Sequence, residues 1–91
     1  MTTKTTVYIY TLTDPITEQV RYVGKTITPK RRYRQHLCCA KQFISHSQRW
    51  IQGLLDRDLK PVMQIIETTT RSQWRERERY WIKYYQALDA P

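Results

Sequence analysis

Cysteine is scarce in this chain, and the two that occur, Cys38 and Cys39, are adjacent. Neighbouring cysteines do not staple distant segments and lack the spacing of a zinc clamp, so they read as packed, reduced thiols. The same adjacency argues against a zinc-stabilised interaction domain built on Cys38, Cys39, His36 and His46. Long apolar runs are missing too: no stretch approaches the ~18 consecutive apolar residues of a membrane span. Residues 1–6 are polar, without the charged-then-apolar pattern of a secretory leader. The expectation is a soluble intracellular protein, cytoplasmic or nucleoid-associated, that does not engage a membrane. Acidic residues are outnumbered, with eight Asp and Glu against sixteen Lys and Arg, a formal charge of +8. That excess calls for a polyanionic partner, of which nucleic acid is the commonest.

What is present fits one small fold. With 91 residues there is room for a single core, and the whole of 1–91 reads as one domain with no repeat, linker or low-complexity tract. Val7 to Leu12 is dense in β-branched and aromatic residues, Asp14 to Gln19 has turn chemistry, and Val20 to Val23 is a second β run closed by Gly24; together they predict a hairpin. With period two, Tyr8, Tyr10 and Leu12 share one face of the first strand, and Val7 and Ile9 the other. Thr28-Pro29 is an N-cap followed by proline at the first helical position, predicting a helix from about Pro29 to Gln42. Its apolar stripe is Tyr33, Leu37, Ala40 and Ile44, with Arg32 and His36 one turn apart along one edge. A short helix over Ser47 to Leu55, a third strand over Pro61 to Glu67 and a last helix to about Tyr85, capped by Thr70 or Ser72, complete the pattern. The fold class is therefore α+β. Met63 and the tryptophans are expected in the core.

On the last helix Trp74, Arg77, Trp81, Ile82 and Tyr85 fall within one arc, and Glu78 lies in the middle of it, whereas Glu76 points away. A carboxylate on the inward arc requires a partner, because burying it unpaired costs several kcal/mol or more. That partner is either one of the many arginines or a divalent cation, for which carboxylate oxygen is a natural ligand.

The motif Tyr8-Ile9-Tyr10, eleven residues, then Tyr22-Val23-Gly24, followed by Lys25, by Arg32 and His36 four apart, and by Glu78 in the context Glu-x-x-Trp-Ile, resembles the catalytic domain of GIY-YIG nucleases over almost the whole chain. His46 also resembles a histidine of some members. The resemblance implies a three-stranded antiparallel sheet flanked by helices, with the tyrosines, the arginine and the glutamate converging on one surface. It implies metal-dependent hydrolysis of DNA phosphodiester bonds, with one Mg²⁺ or Mn²⁺ held by Glu78. Two positions depart from the pattern. Tyr8 stands where the family often has glycine, and the asparagine that usually follows the last helix has no counterpart, since the chain has no asparagine. The expected explanation is truncation before that residue, with its loss in this member as the alternative.

The residue types suit the chemistry, which needs a deprotonated nucleophile and charge stabilisation on the phosphoryl and leaving oxygens. Tyr10 is expected as the general base, its phenol brought down by the cations Lys25 and Arg32, with Tyr22 orienting it. The sequence leaves open which tyrosine takes which role. Arg32 is expected to grip the scissile phosphate through its planar fork, and His36 to be a second phosphate ligand or a proton carrier. Lys25, Lys30, Arg31, Arg32, Arg34, Lys41 and His46 are the expected nucleic-acid contacts, most of them meeting phosphates without reading sequence. Specificity is expected from DNA structure, from a homo-oligomer, or from an additional DNA-targeting domain. The rival reading is a module with this fold that binds nucleic acid without cutting it.

Overall fold

The computed structural model describes residues 6–38 and 46–89, without the side chains of His46, Ser47 and Asp89. The elements run β1 (Thr6–Thr13), β2 (Val20–Thr26), α1 (Pro29–Cys38), α2 (His46–Asp56), β3 (Val62–Thr70) and α3 (Trp74–Asp89). The three strands form one antiparallel sheet in the order β2-β1-β3. This is the small α+β domain that the pattern predicts.

The β1–β2 turn is organised by one side chain. Asp14 Oδ1 accepts the backbone N–H groups of Ile16 and Thr17 at 2.8 and 3.1 Å, an Asx arrangement that replaces ladder bonds where the chain reverses. Its other oxygen accepts the indole N–H of Trp50 from α2 at 3.0 Å. Glu18 closes the turn in the left-handed region at φ 62°. The Trp50 bond, together with the turn amides, holds the Asp14 carboxyl below its ordinary pKa.

The central strand is covered on both faces. Tyr10 and Leu12 form a buried cluster with Ile51 of α2, joined by the partly buried Tyr22, Tyr33, Leu37, Trp50, Leu55 and Met63. By alternation Val7, Ile9 and Thr11 take the opposite face, and they are buried too. The Tyr33 hydroxyl donates to the carbonyl of Pro61 at 2.7 Å, tying α1 to the entry of β3.

Several boundaries and placements differ from expectation. β2 runs through Gly24 to Thr26, and β3 extends to Thr70 because Thr68, Thr69 and Thr70 continue the β-branched run. In β3 the pairing steps from Ile9↔Glu67 to Tyr10↔Ile65, so Ile66 is an extra residue that bulges the edge strand. Neither Thr70 nor Ser72 caps α3 with its side chain: their hydroxyls bond each other at 3.1 Å, and the helix starts from the Gln73 carbonyl. Cys38 is exposed rather than packed. Trp74 and Trp81 are half-buried and carry polar contacts instead of forming core. Cys39, Ala40, Lys41, Ile44 and the His46 side chain lie outside the described residues.

Candidate active site

Four expected residues meet at the Tyr10 hydroxyl. Strand alternation and the register Tyr10↔Gly24 and Leu12↔Tyr22 put both tyrosines on the face toward α1. Their rings are 6.0 Å apart, and His36 stands edge-on to each at 5.8 and 5.2 Å. Helical spacing aims Arg32 and His36 at the same atom. Arg32 Nε donates to the Tyr10 oxygen at 3.3 Å, and that oxygen lies 2.7 Å from His36 Nε2.

Gly24 makes the approach possible. A Cβ at that position would fall 2.8 Å from the Tyr10 hydroxyl oxygen and 2.7 Å from the Tyr22 ring, inside any normal contact distance. Both rings therefore lie against bare backbone of β2, and any side chain there would push the tyrosines off His36.

The electrostatics of this cluster correct one expectation. Burial dominates at Tyr10 and raises its pKa well above that of an ordinary phenol, with the hydrogen bond from Arg32 opposing it only in part. Tyr10 is thus a neutral phenol at rest, and Lys25 contributes nothing to lowering it. Burial first, and then the Arg32 charge, lower His36 to about 4, so its imidazole is neutral. A neutral imidazole in the tautomer that leaves Nε2 unprotonated accepts the phenol proton across this 2.7 Å contact. His36 is 3 % exposed and faces Tyr10, a position suited to taking a proton and not to gripping a phosphate.

Lys25 and Glu78 lie on the other side of β2. Lys25 follows Gly24, so alternation turns it toward α3, where its ammonium sits 4.5 Å from the centre of the Trp74 ring. Glu78 is one turn further along α3. Burial raises its pKa, and Lys25 offsets part of that from within electrostatic range. Among the described residues Glu78 makes no hydrogen bond or ion pair. The arginine partner weighed from the sequence goes elsewhere: Arg77 forms a bidentate pair with Glu67 of β3 at 2.6 and 2.8 Å. The Trp81 indole N–H completes Glu67 at 2.9 Å.

A groove of about 520 Å³ brings Arg32 of the tyrosine cluster together with Lys25, Arg71 and Trp74 from the α3 side, with neither Tyr10 nor Glu78 in its lining. The expected convergence on one surface takes the form of a cluster and a carboxylate on either side of the edge strand β2. The basic residues of α1 divide likewise. Lys30 and Arg34 flank a separate apolar groove with Tyr33, Met63 and Ile65, while Arg31 is exposed. Lys41 and His46 fall outside what is described. The Glu67–Arg77–Trp81 network was missed from the sequence, although Arg77 on the inward arc raised the same demand for a partner as Glu78.

The GIY-YIG catalytic domain family matches residues 6–89, and the chain belongs to that family. No curated protein and no solved structure matches it. No helix among the described residues is long and apolar enough to cross a membrane.

Proposed function

We propose that this domain is a DNA endonuclease that hydrolyses phosphodiester bonds with one divalent metal ion, working inside the cell. The observation that carries the reading is the unpaired, half-buried carboxylate of Glu78 across β2 from a tyrosine–histidine–arginine cluster. An acidic group left without a protein partner in a chain of net charge +8 fits a cation ligand, and a single carboxylate suffices for a hydrated Mg²⁺ or Mn²⁺. Such an ion, held by Glu78, would supply charge stabilisation to the phosphoryl and leaving oxygens.

The chain's own residues divide the remaining work. Arg32 stays charged at any working pH and offers a phosphate the guanidinium edge that Tyr10 leaves free. Tyr10 acts on water as one member of a relay, because burial disfavours a free phenolate. Water gives a proton to the Tyr10 oxygen as the phenol proton passes to His36 Nε2, and His36 ends as imidazolium. No full charge rests on the buried tyrosine oxygen at any point. Tyr22 packs against both rings and fixes their relation. Lys25 adds positive charge at the phosphate approach, and Lys30, Arg31 and Arg34 add sequence-independent attraction to DNA. A domain of this size has little surface for reading base edges, so targeting comes from DNA structure, an oligomer or a further domain.

Incubation with supercoiled plasmid tests the reading. Nicking in Mg²⁺ or Mn²⁺ that stops on chelation is expected. Tight DNA binding with no nicking in either metal would mean a binding module that keeps the fold without the reaction.

A further inference from the structure

The groove between the Tyr10 cluster and α3 carries three cations, Lys25, Arg32 and Arg71, and no carboxylate among its lining residues. Their commitments differ. Arg32 is anchored by Tyr10 and by Gln35 at 3.4 Å, and Lys25 is held over the Trp74 ring. Arg71, in the turn between β3 and α3, is exposed and makes no hydrogen bond or ion pair among the described residues. Like charges gathered around one concavity repel each other, and an anion entering it relieves that repulsion while gaining charge-assisted contacts. The lining sets these cations among Val7, Ile27 and Trp74, and Arg32 is part of it.

We propose that this groove is a second phosphate subsite, in which Arg71 holds the DNA backbone phosphate next to the scissile one. The proposal rests on the endonuclease reading above. Arg32, bonded to Tyr10, and Arg71, in the turn before Trp74, both line the groove. A strand whose scissile phosphate lies on Arg32 therefore directs its neighbouring phosphate along the groove to Arg71. Lys25, its ammonium held over the Trp74 ring, adds a third cation to the same lining. Recognition here is of charge and backbone spacing, and every sequence is held alike.

The test measures binding of a labelled DNA duplex over a salt series, using the Glu78→Gln protein so that cleavage does not interfere. Arg71→Gln added to that background is compared with Arg57→Gln, which removes the same charge from the exposed turn after α2. Arg71→Gln is expected to weaken binding about tenfold and to flatten the dependence of log K on log salt by about one contact. Arg57→Gln should change both far less. Equal effects of the two substitutions would overturn the subsite. Plasmid nicking by the wild-type protein is scored separately: cutting combined with equal effects removes the subsite and leaves the nuclease reading intact. Binding without any cutting removes the nuclease reading, and with it the placement of Arg71 beside a scissile phosphate.

Discussion

The two seams along α3 put carboxylates in opposite circumstances. Toward β3, Glu67 is saturated by both arms of Arg77 and by the Trp81 indole, and the arginine partner and indole together hold its pKa below the ordinary value. Toward β2, Glu78 is half-buried with Lys25 nearby and no direct partner, and burial raises its pKa. α3 thus packs on one side against Glu67 of β3, whose acceptors it fills, and on the other side carries Glu78, which has no hydrogen bond or ion pair among the described residues. The difference separates structural from functional acids: a structural acid has its acceptors filled within the protein, and a catalytic one keeps them open.

Substitutions that treat the two seams alike break this comparison. The largest expected effect is on Glu78→Gln, which should lower DNA nicking by about a thousandfold or more while the melting temperature stays level or rises. A melting temperature that falls by many degrees would make Glu78 a structural residue. Next comes His36→Gln, which still accepts the Tyr10 hydrogen bond yet cannot take up a proton. Its nicking rate should fall about a hundredfold or more, and a near-wild-type rate would remove His36 from the proton path. In the wild type the relay predicts a nicking rate nearly flat from about pH 6 to 9, since neither the buried phenol nor the neutral imidazole changes state there. A tenfold rise per pH unit would mean that Tyr10 works as a free phenolate.

Smaller effects concern stability. His36 binds a proton in the unfolded chain below the ordinary histidine value of about 6.5 but in the folded chain only below about 4. Folding free energy should therefore decline as pH falls between those values, by about 1 to 3 kcal/mol, and level off below them. Urea melts of His36→Gln lacking that slope would assign it to this residue. The depressed carboxyls of Asp14 and Glu67 contribute stability above their unfolded pKa values, and this is lost as pH falls through the folded ones. The smallest change is Glu67→Gln. With its pair partly open to solvent, the expected loss is about 1 kcal/mol, a fall in melting temperature of roughly 4 to 8 °C. Nicking by the folded protein should be unchanged.

Much of the fold was legible because its signals are local. The β-branched run of β1, the Asp14 turn and the Thr28-Pro29 start each specify their own element. The inward arc of α3 was readable in most of its members, since Trp74, Arg77, Glu78, Trp81 and Tyr85 are partly buried and Glu76 is exposed, but Ile82, expected on the same arc, is exposed. The Tyr10–His36 contact could be approached, since period two and helical spacing put both on facing surfaces. Its protonation state could not, because burial outweighs the nearby cation and only packing sets burial. The bulge at Ile66 and the pairing of Arg77 with Glu67 rather than Glu78 depend on strand register, which no local pattern encodes.

The most direct test compares Glu78→Gln with Glu67→Gln side by side, with plasmid nicking in Mg²⁺ normalised to the folded fraction. Glu67→Gln is expected to cut like the wild type and Glu78→Gln not to cut. Equal loss in both, or cutting retained by Glu78→Gln, would contradict the assignment of the unpaired carboxylate to the reaction.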